Sequence, residues 1–127
     1  MIDIQKQIFH WRDSAQEDWR FAGDLIEHGE RLHYGLFFIH LALGKVMKAH
    51  YCKNAREIPP RIHNLITLAS LASISLSPEY EEMCIEFNTF NIRGRYPDLL
   101  DKGLTHKEAR EYYRKAREVF EWLMKQL

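Results

Sequence analysis

Apolar residues recur every three or four positions along most of the chain, which is the pattern of amphipathic helices that bury one face. The spacing predicts a first helix over residues 9–28, followed by Gly29, a residue that suits the end of a helix. A second apolar stripe predicts a helix over residues 33–53, which ends before Asn54 and the Pro59-Pro60 pair. The chain is therefore expected to begin with two long helices joined by a short turn.

The remaining apolar stripes predict three further helices. A short one follows the two prolines and carries Leu65 and Leu68 on one face. A fourth starts near Pro78, which suits the first turn of a helix, and ends at the Arg-Gly-Arg-Tyr-Pro segment, residues 93–97. The last begins at residues 105–108, whose Thr-x-x-Glu spacing is that of a capping box. No strand alternation interrupts the series, so the predicted fold is all-α, an up-and-down four-helix bundle with an additional short helix.

Composition and charge narrow the class of protein. The 127 residues carry 18 Lys or Arg and 18 Asp or Glu, so no net charge draws nucleic acid to the chain without specificity. No apolar run is long enough to span a bilayer, and the N-terminus does not resemble a signal peptide. Cys52 and Cys84 are isolated and are expected to be buried thiols rather than a disulfide. We expect a single cytoplasmic domain over residues 1–127, with no role at a membrane.

Basic and planar side chains crowd the point where the fourth helix is expected to end. Arg93, Arg95 and Tyr96 surround Gly94 and Pro97, two residues that break a helical pattern. A guanidinium fork held at such a corner suits a phosphate or a carboxylate, so the segment predicts a site for an anionic, nucleotide-like ligand. The alternative is that both arginines are solvated or pair with nearby aspartates.

Three residues elsewhere are candidates to assist this corner. Lys45 lies close to the apolar stripe of the second helix, so we expect it to be partly buried and held by a carboxylate, with Lys48 more exposed. His40 lies among aromatic residues of the same helix and either faces a ligand groove or is a buried, structurally bonded histidine. Asn64 is expected to cap the third helix, and His63 beside it either does the same or points into a groove.

The seven histidines do not form a metal-binding pattern. No two of them are four residues apart, and no His-Glu-x-x-His sequence is present. No glycine-rich loop of the dinucleotide or P-loop type precedes a helix either. We therefore expect neither a metal ion nor a cofactor.

The order of these segments resembles the HEPN family, named for a nucleotide-binding domain of higher eukaryotes and prokaryotes. The likeness rests on the Lys-x-x-Lys-Ala sequence at residues 45–49, on His63-Asn64-Leu65 after the two prolines, and on the Arg-Tyr-Pro corner at residues 95–97. The resemblance covers nearly the whole chain. It implies an all-α bundle that is usually a homodimer. It also implies a small nucleotidyltransferase as partner, in a two-gene module that often behaves as toxin and antitoxin.

The ribonuclease motif of many HEPN proteins is missing from this chain. Those relatives carry an arginine followed four to six residues later by a histidine, and the pairs meet across the dimer. After Arg93 and Arg95 this window holds only proline, aspartate and leucine. Arginine can stabilise a phosphorane, but the proton transfer needs a group such as histidine. Tyr96 therefore does not inherit the role of the tyrosine that some partner enzymes adenylylate beside the motif.

The resulting hypothesis is a non-catalytic HEPN subunit that binds a nucleotide or another phosphate-bearing molecule. Its expected ligand-binding residues are Arg93, Arg95, Tyr96, Lys45, His40 and His63. RNA is a less favoured ligand because the motif histidine is absent. Two alternatives stay open: a divergent HEPN ribonuclease acting as a toxin, and an interaction bundle without a ligand.

Overall fold

Five helices make up the computed structural model, which describes residues 2–95 and 103–127 and only the backbone of residues 92–95. They are α1 (Ile4–His28), α2 (Leu32–Ala55), α3 (Leu65–Leu71), α4 (Pro78–Arg95) and α5 (His106–Met124). Within the described residues there is no strand. The predicted all-α fold is confirmed.

The ends of the helices follow local capping chemistry. α1 begins at Ile4, earlier than predicted, because the Asp3 carboxylate accepts a hydrogen bond from the Lys6 amide at 3.1 Å and caps the helix. It ends as predicted at Gly29, whose φ of 69° is left-handed. At the start of α5, Thr105 and Glu108 form the predicted capping box.

The helices run alternately up and down the bundle. α1 and α2 are antiparallel and lie so close that a Cβ on Gly35 would come within 2.8 Å of the Ile26 side chain. The end of α5 lies beside the end of α2, and the start of α4 meets it through Tyr80 and Trp122, whose rings are 5.3 Å apart. α4 therefore ends at the end of the bundle where α2 begins.

The core is built around α2, which packs against each of the other four helices. Trp19 of α1 stacks on both Tyr113 and Phe120 of α5, with ring centroids 4.8 and 4.5 Å apart. Cys52 and Cys84 are buried free thiols, as predicted. Burial raises the pKa of the Cys84 thiol to about 12, so this sulfur is held protonated.

Side chains of α2 satisfy the open carbonyls at the end of α5. Nε2 of His50 donates to the carbonyl of Leu123 at 2.8 Å, and Nζ of Lys53 donates to the carbonyl of Gln126 at 2.6 Å. The last carbonyls of a helix have no partner within the helix, so these bonds fix α5 to α2. Burial lowers the pKa of His50, which is therefore neutral near pH 7.

Candidate functional site

Lys45 is held between α1 and α2 by two side chains of α1. Its Nζ lies 2.7 Å from Oδ2 of Asp18 and donates to Oγ of Ser14 at 2.8 Å. The side chains of Lys45 and Asp18 are 27% and 15% exposed, so the pair is largely shielded from water. The expectation of a partly buried lysine held by a carboxylate is confirmed. In this arrangement the charge of Lys45 is already neutralised.

Lys48, one turn beyond Lys45, is also half-buried rather than extended into solvent. Its ammonium lies 5.0 Å from the ring centroid of Trp11, within the range of a cation–π contact. Burial, and secondarily the charge of Lys45, lower the pKa of Lys48. The indole covers the side chain, which the sequence pattern of α2 alone does not reveal.

Exposed aromatic side chains continue the same side of the α1–α2 pair. Phe21 of α1 meets Phe38 of α2 edge to face at 4.7 Å, and Phe37 lies 5.7 Å from Phe38. Phe21 is 48% exposed and Tyr34 is 38% exposed. We call these four residues, Phe21, Tyr34, Phe37 and Phe38, the aromatic face. Phe37 and Phe38 are half-buried, so the exposed area comes mainly from Phe21 and Tyr34. Exposed aromatic area on one side of a helix pair is a feature of many interaction sites.

The two candidate histidines lie in different environments. His40 is only 1% exposed and belongs to the packed interior around α2, so it does not line an open groove of the described chain. His63 is exposed. Beside it, the Asn64 side chain accepts from the amides of Ile66 and Thr67 at 2.9 and 3.1 Å, which confirms Asn64 as the cap of α3.

The arginine corner lies only partly within the described residues. Arg93 and Arg95 occupy the last turn of α4, which continues through Gly94, and Tyr96 lies outside the described residues. Lys45 lies 13 residues after Leu32, the first residue of α2, and is therefore roughly 20 Å along α2 from the end of the bundle where α4 stops. The described backbone therefore does not bring Lys45 to the arginine corner.

His106 is the first histidine after the two arginines in the sequence, and it has a structural partner. Its Nε2 donates to the carbonyl of Ile26, in the last turn of α1. Its ring packs on Gly29, where an added Cβ would lie 3.2 Å from the imidazole. His106 thus joins the start of α5 to the end of α1.

Sequence spacing could have pointed to the partners of Lys45. Ser14 and Asp18 are four residues apart and share one edge of α1, next to its buried stripe. What the pattern does not give is the register of α1 against α2, which decides that Lys45 meets these two side chains. Register depends on close packing, here at Gly35 and Ile26.

Residues 2–95 and 103–127 hold neither a cluster of metal-binding side chains nor a helix that could span a membrane. No group of three or more His, Cys, Asp or Glu side chains in this part of the chain is placed to hold a metal ion. None of the described helices combines the length and apolar character needed to cross a membrane.

Comparison with known proteins identifies the fold just described. A family model for the HEPN domain matches residues 9–127. The chain belongs to the HEPN family. This HEPN protein is similar in structure to TT1696 from Thermus thermophilus, with a TM-score of 0.79 and 20% sequence identity over 95% of this chain and 98% of that one. At this identity the likeness shows a shared fold alone. No curated protein matches the HEPN chain.

Proposed function

We propose that this HEPN protein is a non-catalytic subunit that binds a nucleotide or another phosphate-bearing molecule. The observation that carries the proposal is the position of His106. It is the only histidine after Arg93 in the sequence, and its ring bonds the Ile26 carbonyl between α1 and α5. Its Nε2 is held by this carbonyl and its Nδ1 lies against Gly29, so we assign the ring a structural role rather than the proton transfer that RNA cleavage requires. An arginine corner whose motif window holds no histidine is suited to binding a phosphate rather than to cleaving RNA.

In this proposal the ligand is held at the end of α4 by Arg93, Arg95 and Tyr96. His63 is exposed and is a candidate to assist them. His40 is buried and Lys45 is half-buried, so in this proposal both support the bundle rather than touch the ligand. Lys45 would have to leave Asp18 to reach an anion, and breaking a largely shielded pair is costly. The proposal therefore assigns the anion to the arginines.

The same proposal includes a homodimer that forms through the aromatic face. The exposed rings of Phe21 and Tyr34 offer apolar area. Lys45 and Asp18 on this side neutralise each other, so a second copy that covers this pair buries no unpaired charge there. A small nucleotidyltransferase encoded in the same toxin–antitoxin-like module is the proposed further partner, in a reducing cytoplasm.

A nucleotide titration tests the binding role. ATP is titrated by calorimetry into the wild-type protein, into Arg95→Ala and into Arg61→Ala, whose exposed arginine lies before α3 and serves as the matched control. We expect saturable binding that weakens at least about tenfold in Arg95→Ala, as loss of one charge-assisted contact predicts. Equal affinities in all three proteins, or no binding in any, would contradict the ligand assignment.

A further inference from the structure

A groove of about 510 Å³ runs between α1 and α5, on a side of the bundle away from Lys45 and the aromatic face. Its charged and polar lining is Arg20, Asp24, Glu27, Arg110, Tyr113, Arg114 and Arg117. Four of these side chains are arginines, although the chain as a whole carries equal numbers of basic and acidic residues. The sequence pattern conceals this cluster because the arginines come from two helices that are distant in the chain.

The two arginines at one end of the groove belong to opposite walls. Trp19 stacks on Tyr113 and Phe120, which places Arg20 of α1 level with Arg117 of α5. Both arginines are exposed, and neither forms an ion pair with a described residue. Two like charges on facing walls repel each other, and an anion between them would remove that repulsion.

The floor at this end is aromatic and closely packed. The Tyr113 hydroxyl lies 3.0 Å from the position of a Cβ on Gly23, so the two helices approach closely there. The guanidinium of Arg117 is 6.0 Å from the Tyr113 ring, at the outer limit of a cation–π contact. A rigid floor with a hydroxyl and two guanidinium forks suits the oxygens of a phosphate.

The acidic residues of the lining form no ion pair with Arg20 or Arg117. Arg114 is already paired with Glu111 at 2.5 Å and with Glu118 at 3.9 Å. Because α1 and α5 are antiparallel and His106 bonds Ile26, Glu27 lies toward the other end of the groove. Burial raises the pKa of Tyr113, and the nearby carboxylate of Asp24 adds to this rise. Asp24 is one turn from Arg20, but it forms no ion pair with it. The cationic end is therefore the one formed by Arg20 and Arg117.

We infer that the Arg20–Arg117 end of the α1–α5 groove is a second phosphate-binding site, separate from the corner at the end of α4. Its ligand chemistry is the phosphate group, supplied either by a free nucleotide or by the backbone of single-stranded RNA. Guanidinium forks recognise the phosphate oxygens common to both sources. The inference does not depend on the ligand assignment of Arg93 and Arg95.

Binding measurements at low salt test this site with ATP and, in a separate arm, with a fluorescent single-stranded RNA oligonucleotide. The variants are Arg20→Gln, Arg117→Gln and, as a control from the same groove, Arg114→Gln. We expect the affinity for at least one probe to fall about tenfold in Arg20→Gln and in Arg117→Gln and to change little in Arg114→Gln. For RNA, each of the first two substitutions should also reduce the salt slope by about one.

The outcomes separate the two sources and the two sites. Loss of ATP binding alone identifies a free nucleotide, and loss of RNA binding alone identifies a nucleic acid backbone; either supports the inference. Arg95→Ala alters only the corner at the end of α4. The part of the binding that is lost in Arg20→Gln and Arg117→Gln should therefore be unchanged in Arg95→Ala. Wild-type affinity in Arg20→Gln and Arg117→Gln, or an equal loss in Arg114→Gln, would overturn it.

Discussion

Lys45 and Asp18 form an ion pair that joins the middle of α1 to the middle of α2, with Nζ 2.7 Å from Oδ2. The Oδ2 atom of Asp18 is buried, and Oγ of Ser14 accepts a hydrogen bond from the same ammonium. A shielded pair of this kind costs little while it is intact, but loss of one partner leaves an uncompensated charge. Because its charge is already paired with Asp18, we assign Lys45 a structural role rather than a role in binding a ligand.

Asp18→Ala should therefore destabilise the protein by about 1–3 kcal/mol. This is less than the loss expected when a fully buried pair is broken, because both side chains keep some exposure. Urea unfolding of Asp18→Ala, Lys45→Ala and the double variant measures the coupling between them. We expect the double variant to be less destabilised than the sum of the single ones. Additive effects would show that the pair contributes no interaction of its own.

The His50 bond predicts a loss of stability in mild acid. Burial places the folded-state pKa below the ordinary value of 6.5, so the folded protein binds this proton less readily than the unfolded chain. The contribution of neutral His50 to the free energy of unfolding is thus fully present above pH 6.5 and is lost as the pH falls below that value. The unfolding free energy is measured between pH 7.5 and 5 for the wild type and for His50→Gln, whose amide can still donate to Leu123. The variant should show the shallower decrease; identical slopes would contradict the assignment.

The aromatic face predicts a specific effect on oligomeric state. Phe21→Glu places a charge on an exposed ring of that face and should convert a dimer into a monomer without loss of helical content. Ile85→Glu is the matched control, because Ile85 is similarly exposed at 52% but lies on α4. Sedimentation equilibrium measures both masses. A dimer that survives Phe21→Glu but not Ile85→Glu would place the interface elsewhere.

A structural role for His106 predicts that stability and binding respond differently to its removal. His106→Ala loses the bond to the Ile26 carbonyl and the packing on Gly29. We expect it to lower the unfolding free energy by about 1–2 kcal/mol and to leave ATP affinity unchanged. Unchanged stability together with loss of an RNA-cleaving activity would instead identify His106 as a catalytic group.

The fold follows from the sequence because its main determinants are local. Helical periodicity and the caps at Gly29, Asn64 and Thr105 fix most of the elements without knowledge of their packing. The predicted start of α1 at residue 9 is too late, because Ile4 and Ile8 extend the apolar stripe toward the N-terminus and Asp3 supplies the cap.

The candidate site is less accessible to sequence reasoning because it depends on helix register. The kind of partner for Lys45 could be predicted, but its identity as Asp18, 27 residues earlier, depends on how α1 packs on α2. The groove that holds Arg20 and Arg117 likewise depends on helix packing, here that of α1 on α5. In addition, Tyr96 lies outside the described residues, so the arginine corner is still a prediction from sequence.

An RNA cleavage assay tests the central claim, a HEPN protein without ribonuclease activity, most directly. Structured and single-stranded RNA are incubated with purified wild-type protein and with Arg95→Ala, and the products are resolved on a denaturing gel. The absence of a histidine in the motif window and the engagement of His106 predict that the RNA stays intact with both proteins. Cleavage by the wild type that disappears in Arg95→Ala would contradict the account.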